Sequence, residues 1–344
     1  MALVARVVRT YRSSVTVRDA AAARSEHFLV TGASGSLGAW TVKTLLDQAV
    51  EATAVCASGD DRCLRLIVDA ERLTDVRRID ADELDRSGLH AAMNGVTHVV
   101  HTDPELTAAA ERVGVDLARD SITRLDDVLR AAHLAGVEGV SFDSSMAVFA
   151  PSSRPVDDHD RPAPADHRGC AHLAREMIAA RWASTCGLSN TGLRVGALYG
   201  AGHDEGPSGT VAQVVAAAMG NVPFVLDDVD QVDFQFVGDV AAMMCDAART
   251  ARGHQVLNLS CGPTSTAQLV NLLTSMTGAS HVRIGDSVAS TRLASPAARG
   301  SSLRLPTDLA RGLQATIESI RWAPLDLTTG AASSRSAHGA PSPD

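Results

Sequence analysis

An α/β fold built on a doubly wound parallel sheet, with a smaller C-terminal lobe, is predicted by three observations. Short apolar runs alternate with longer segments of helical periodicity from residue 27 onward, the pattern of successive βα units. A glycine triplet stands between the first run and the first helix. Past Gly200 the alternation loosens.

The runs His27 to Thr31, Ala52 to Ala57, Val76 to Ile79, Thr97 to His101, Val137 to Phe142 and Asn190 to Val195 are expected to be strands. Between them Leu37 to Gln48, Leu84 to Met93, Leu117 to Leu134 and Cys170 to Cys186 space their apolar residues as helices do. Residues 26–200 should therefore form a dinucleotide-binding domain. Residues 201–324 should form a smaller substrate-binding lobe interleaved with the sheet. Its expected elements are a helix near Val211 to Met219, a strand near Phe234 to Val237, and helices near Val240 to Thr250 and Thr266 to Thr277. Residues 325–344, rich in Ser, Ala, Gly and Pro, read as a disordered tail. Residues 1–25, with Arg6, Arg9, Arg12, Arg18 and Arg24 against Asp19 alone, read as a flexible extension rather than a transit peptide.

Composition narrows the partners. Of 344 residues 45% are hydrophobic, enough for a sizeable core. A formal charge of -9, with both signs interspersed, leaves no basic stripe for nucleic acid. No apolar run approaches the roughly 18–20 residues that span a bilayer, so no membrane association is expected. The cysteines Cys56, Cys63, Cys170, Cys186, Cys245 and Cys261 lack any CxxC spacing and read as reduced thiols, with neither disulfide nor metal. A cytoplasmic monomer or homodimer acting on a small molecule is the expectation.

The segment Phe28-Leu-Val-Thr-Gly-Ala-Ser-Gly-Ser-Leu-Gly38 has the strand–turn–helix context that gives a glycine triplet meaning. Gly32 permits the tight turn, Gly35 lets the backbone approach a pyrophosphate, and Gly38 lets helix and strand pack. Thr31, Ser34, Ser36 and Leu37 complete the loop, whose helix N-terminus offers N–H donors and a positive dipole. The fold is thus Rossmann-type. NAD-preferring proteins end the second strand on an acid that binds the ribose 2′-hydroxyl. Here that strand ends Val55-Cys-Ala-Ser58 without one, so NADP(H) is expected, with Ser58 and Arg62 near its 2′-phosphate.

Four segments together resemble the extended short-chain dehydrogenase/reductase family, also called the epimerase/dehydratase family. They are Thr31-Gly-x-x-Gly-x-x-Gly38, Val137 to Ala150 (VEGVSFDSSMAVFA), Leu193-Arg-Val-Gly-Ala-Leu-Tyr-Gly200 and Asp233-Phe-Gln-Phe-Val-Gly-Asp-Val-Ala241. The resemblance covers about residues 27 to 322 in the right order. It implies cofactor contacts from Asp80, His101, Asp103 and Ser144, and a substrate site that includes Ser145, Met146 and Tyr199. In the family a serine on the fifth strand and a Tyr-x-x-x-Lys on the next helix surround the substrate oxygen. The serine corresponds to Ser145, but Arg168 stands in the tyrosine position and His172 in the lysine position. A further departure is His101-Thr-Asp-Pro104 where the family has His-x-Ala-Ala; Asp103 should either face cofactor or substrate hydroxyls or open an Asp-Pro turn.

With the usual proton donor gone, Ser145, His172 and Arg168 are the candidate catalytic residues. Arginine is too weak an acid to donate, but it can stabilise an oxyanion. Three functions follow. The favoured one is an NADPH-dependent ketoreductase whose proton comes from substrate or water, as in the atypical ketoreductases of aromatic polyketide pathways that also lack the tyrosine. The others are an epimerase, dehydratase or cyclase, and a non-catalytic nucleotide sensor.

Overall fold

A computed structural model describes residues 25–57, 60–104, 106, 114–150, 156–157, 159–202, 206–226, 232–285 and 303–322. The extension at 1–24, the tail at 325–344 and Ser58 lie outside them. The strands are β1 (His27–Thr31), β2 (Glu51–Cys56), β3 (Arg77–Asp80), β4 (His98–His101), β5 (Gly139–Ser145), β6 (Asn190–Val195), β7 (Ala197–Tyr199), β8 (Phe224–Leu226), β9 (Phe234–Phe236), β10 (His254–Ser260), β11 (Val282–Ile284) and β12 (Leu303–Arg304). The helices are α1 (Ser36–Asp47), α2 (Arg62–Ile67), α3 (Ala70–Leu73), α4 (Arg86–Ala92), α5 (Val115–Ala135), α6 (His167–Cys186), α7 (Gly206–Gly220), α8 (Val237–Thr250), α9 (Thr266–Thr277) and α10 (Leu309–Trp322).

Eight strands form one parallel sheet in the order β12-β10-β6-β5-β4-β1-β2-β3. Two-stranded pairs β8–β11 and β7–β9 stand apart from it. Such a sheet must be covered on both faces, so its strands read as continuous apolar runs. β1 shows why: Phe28 and Val30 join the core on the face covered by α1 and α8, while Leu29 joins the core on the face covered by α5 and α6. The strand order reverses between β1 and β4, the switch point where doubly wound sheets open a crevice.

The expected strands and helices of residues 27–200 are all present, with ends shifted by a few residues. Among the strands the largest shift is in β5, which runs on to Ser145. This extension follows from pairing with β6, where Ser144 and Ser145 oppose Arg194 and Val195. Beyond Gly200 the chain is interleaved with the main sheet. It returns to the main sheet through β10, which pairs with β6, and through β12.

Gly32 and Gly38 fix the entry to α1. Gly32 has φ +72, and a Cβ there would stand 2.1 Å from the Thr102 carbonyl oxygen. A Cβ on Gly38 would stand 2.4 Å from the Gly32 carbonyl oxygen and 2.8 Å from Ala33 Cα, both backbone atoms that cannot swing away. Gly38→Ala should therefore lower stability by about 1–3 kcal/mol through overpacking, read as a fall in the thermal midpoint. An unchanged midpoint would show that helix and strand have room to part.

Candidate active site

The crevice at the switch point is a cavity of about 550 Å³ that runs from the β3 side of β1 to the β6 side. Its middle is the glycine loop: Thr31, Gly32, Ser34, Gly35, Ser36 and Leu37 all line it. α1 begins there with no side-chain cap on its N-terminus, which leaves backbone N–H groups and the positive end of the helix dipole for an anion. On one side lie Ala57, Asp60, Arg62, Ala81, Leu84 and Leu89; on the other lie Ser144, Ser145, Arg168, His172, Val195 and Gly196. A loop of glycines and small residues at an uncapped helix start, with a part-apolar slot to one side, fits a dinucleotide.

Gly35 serves two purposes. A Cβ there would come within 2.5 Å of Pro104 Cβ, so the loop after β4 already presses on it. Any larger residue at position 35 would disturb this packing as well as a bound pyrophosphate.

A buried charge network underlies the other half of the cavity. Arg175, with 0% of its surface exposed, donates from Nη2 to Asp143 Oδ1 (2.7 Å) and from Nη1 to His172 Nδ1 (3.3 Å). Asp143 Oδ2 accepts from the Asp103 backbone N–H at 3.3 Å. Both Asp103 oxygens accept from Arg124 Nη2, at 3.0 and 3.1 Å, and Oδ1 also accepts from Leu106 N–H. Asp103 thus opens the turn at Pro104 and holds an arginine. Beside this chain, Thr31 Oγ1 and His101 Nδ1 share a bond of 2.7 Å, while His101 Nε2 is buried without a partner. Ser144 Oγ donates to Glu176 Oε1 (2.6 Å), whose carboxylate also receives Arg194 Nε and Nη2.

Electrostatics follow from burial. His172 is 3% exposed, and burial first, then the charges of Arg175 and Arg168, hold its pKa well below the usual imidazole value. Burial, then Arg175 and Arg124, lowers His101 to about 3, Asp103 opposing. Burial opposes ionisation of Asp103, but Arg175 and Arg124 outweigh it and keep the carboxyl well below the ordinary range. At Asp143 burial prevails over Arg175, helped by the Asp103 charge, and the pKa is raised. Because arginine only donates, His172 Nδ1 accepts from Arg175, and the neutral ring carries its proton on Nε2. With Nδ1 taken by Arg175, a neutral His172 has Nε2–H to offer as a donor.

Ser145, Arg168, His172, His101, Asp103, Ser144 and, of the glycine loop, Thr31, Gly32, Ser34, Gly35, Ser36 and Leu37 all line this one cavity, as does Arg62. Arg62 is paired with Asp60 (Nε to Oδ1, 2.9 Å), an acid the sequence reading left unused. Ser144 faces the cavity with its hydroxyl already committed to Glu176. Four expected site residues are elsewhere, Gly38 among them, packed against the backbone of Gly32 and Ala33. Asp80 turns its carboxylate onto the Asp82 N–H, and its neighbour Ala81 lines the cavity instead. Met146, 1% exposed, packs with Val148, Phe149 and Val156. Tyr199, 1% exposed, stacks edge-on against Phe234, and burial pushes its hydroxyl well above the ordinary range. The chain has two tyrosines, Tyr11 and Tyr199, and one lysine, Lys43, which bonds Asp47 on α1. Among the described residues no tyrosine or lysine lines the cavity. Sequence reasoning missed Asp143, Arg175, Arg124 and Glu176, whose signal was polar residues on otherwise core-facing positions of β5, α5 and α6.

The sequence profile of the NAD dependent epimerase/dehydratase family matches residues 28–260. An uncharacterised protein of Sinorhizobium fredii is 26% identical over 239 residues, 69% of this chain and 57% of that one. Cinnamoyl-CoA reductase 1 of Petunia hybrida is 34% identical over 130 residues, 36% of this chain and 37% of that one. The matches thus span little more than half of the first relative and little more than a third of the second. The dTDP-glucose 4,6-dehydratase of Streptomyces venezuelae, solved with NAD bound, shares the fold at a TM-score of 0.70 and 19% identity, over 86% of this chain and 97% of that one. Among the described residues no helix is long and apolar enough to cross a membrane.

The neutral histidines set a pH dependence. His172 and His101 resist protonation when folded but titrate near 6.5 when unfolded, so below about pH 6.5 the unfolded chain binds protons that the native state refuses. Their contribution is present above that pH and is lost as pH falls, at up to about 1.4 kcal/mol per pH unit for each histidine. Denaturant unfolding at pH 7.5 and pH 5.5 should show His172→Gln losing less stability than the wild type over about that interval. Equal losses would mean that His172 is protonated in the native state.

Proposed function

The chain belongs to the NAD dependent epimerase/dehydratase family, the extended short-chain dehydrogenases/reductases, and on that premise we propose that it is an NADP(H)-dependent ketoreductase. Its substrate would be a small-molecule ketone that supplies its own proton, an aromatic polyketide ketone with a neighbouring hydroxyl being the favoured class. The observation that carries this reading is the make-up of the cavity wall where the family's Tyr-x-x-x-Lys belongs. Arg168 and a neutral, Nε2-protonated His172 stand there, with Ser145 beside them.

Bound NADPH supplies a hydride. The chain's own residues do the rest. Gly32, Gly35 and the uncapped start of α1 hold the pyrophosphate. His172 Nε2–H donates to the ribose, and Arg175, by fixing Nδ1 as the acceptor, keeps that donor in place. Ser145 hydrogen-bonds the substrate oxygen, and the Arg168 guanidinium stabilises negative charge that gathers there. No acid in the wall is matched to neutral pH, so the proton comes from the substrate. The same wall argues against epimerase or dehydratase chemistry, whose opening alcohol oxidation needs a base. His172 has no free lone pair to serve as one, and Arg168 has none at all.

NADP(H) over NAD(H) is supported by the end of β2, where Ala57 takes the place of an acid and gives its N–H to Ser34 Oγ. Asp60 is the acid on this wall, and its pairing with Arg62 draws it from the 2′-oxygen toward a cation suited to a 2′-phosphate. Calorimetric titration should show tighter binding of NADPH than NADH, and Arg62→Ala should cost NADPH more. Equal affinities would reverse the assignment.

Turnover separates the proton sources. Oxidation of NADPH, followed by absorbance, should depend on one ketone from a panel bearing adjacent hydroxyls. His172→Ala should raise the cofactor KM more than it lowers kcat. A loss of kcat of about 10²- to 10⁴-fold, as expected for removal of a general acid, would show that the histidine is the donor after all.

A further inference from the structure

Three arginines line the cavity, and they differ in what holds them. Arg62 gives Nε and Nη2 to Asp60, and Arg124 gives Nη2 to both oxygens of Asp103. Arg168 has no hydrogen bond or ion pair among the described residues, and its Nε is buried without a partner. Asp166 is the acid whose charge reaches it, but that side chain caps α6 by accepting from the Gly169 N–H and is exposed. Arg168 is half-buried with its Nε out of water, and a guanidinium partly desolvated without a counter-charge is costly, as burial also weakens its hold on its proton. Among the described residues nothing completes it, which leaves the guanidinium open to an anion of a ligand.

Position narrows what that is. The pyrophosphate cradle belongs to β1, and Asp60 and Arg62 lie beyond it on the β2 side. Arg168 lies the other way, on the first turn of α6 above β5, one helical turn before His172 and lining the cavity with Ser145. The missing anion is therefore at the substrate end. The planar fork of a guanidinium matches a carboxylate or the oxygen of a conjugated enolate or phenolate.

We propose that Arg168 selects substrates carrying an oxyanion, or a hydroxyl that becomes one, directly beside the reducible carbonyl. The proposal rests on the reductase reading and names its substrate class. With a hydroxyl neighbour, hydride bonds to the carbonyl carbon and the carbonyl π pair moves to oxygen. The neighbouring O–H bond breaks, its proton bonds to that oxygen, and its electron pair stays as an oxyanion against Arg168. Solvent returns a proton to the oxyanion on release. The balance is one ketone, one reduced nicotinamide and one proton giving one alcohol and one oxidised nicotinamide. Arg168 thereby makes the substrate hydroxyl acidic enough to replace the absent tyrosine.

The test uses the full chain saturated with NADP⁺ and two probes, ortho-hydroxyacetophenone and benzoylformate, with ortho-methoxyacetophenone as control. The absorbance of the bound phenolate, followed against pH, should show the hydroxyl titrating at least about one pH unit below its value in solution, a tenfold gain in oxyanion. Arg168→Gln should abolish that shift and weaken both probes by tenfold or more, while Arg168→Lys should retain part of it. Loss of benzoylformate binding alone in Arg168→Gln would identify a carboxylate as the oxyanion and support the proposal in that form. Three results would overturn it: neither probe binding the wild type, an unchanged titration and affinity in Arg168→Gln, or a loss confined to NADP⁺ affinity, which would assign the charge to the cofactor. If the shift depends on Arg168 but NADPH reduces none of the ketones, the reductase reading fails while the oxyanion site stands. Circular dichroism of each variant confirms its fold.

Discussion

The ion pair between Arg175 and Asp143 is the constraint on which the site depends. A guanidinium with no exposed surface requires a carboxylate, and Asp143 on β5 is the one it meets. Removing either partner would strand the other, at about 3–5 kcal/mol. The consequences run outward along hydrogen bonds. Asp143 receives the Asp103 N–H, which seats the loop after β4; Asp103 receives Arg124 from α5; and the second arm of Arg175 fixes the tautomer of His172. Elements from both halves of the βα repeat are thus held by one network in which two arginines flank two neighbouring carboxylates. The network is not fully satisfied, since Arg175 Nε is buried without a partner among the described residues.

That network also explains the crowding at the glycine loop. Thr102 sits against Gly32 and Pro104 against Gly35, so the loops after β1 and β4 touch through positions where only glycine fits. Thr102 Oγ1 donates to the Thr31 carbonyl, and its N–H donates to the same oxygen, locking the contact. The two loops that bracket the switch point therefore move as one body. The cofactor cradle and the charge network beneath the substrate wall share the segment Thr102 to Pro104.

Much of this was legible in the sequence because burial on both faces of a parallel sheet leaves uninterrupted apolar runs. β1, β4 and β6 needed no further information, and the glycine triplet declared its own geometry. β10 was missed for the opposite reason: His254-Gln-Val-Leu-Asn-Leu-Ser260 carries polar residues because Asn258 receives Arg194 and Ser260 binds Asp233, which pattern reading cannot distinguish from a loop. Position in the family motif placed Ser145, Arg168 and His172 at one cavity. It misplaced Met146 and Tyr199, since adjacency in sequence to a site residue says nothing of which way a side chain turns. Arg175 was invisible as a site residue because a charged helix residue is ordinarily solvated, and only the facing strand reveals its partner.

The departures from the family pattern form one electrostatic argument rather than separate losses. A lysine in the place of His172 would bring a third cation against Arg175 and Arg168, in a region where burial already penalises charge. A neutral imidazole keeps a donor at that place without adding charge. Asp103, in turn, supplies a carboxylate near Arg175, and Asp143 takes up the rest, leaving Arg168 as the cation that the network does not neutralise. Positive charge has thus moved from the position that steadied a ribose to the position that faced the reacting oxygen. On the proposed reading a tyrosine is dispensable, because such a wall would stabilise an oxyanion brought by the substrate, and an acid in the protein would compete with it.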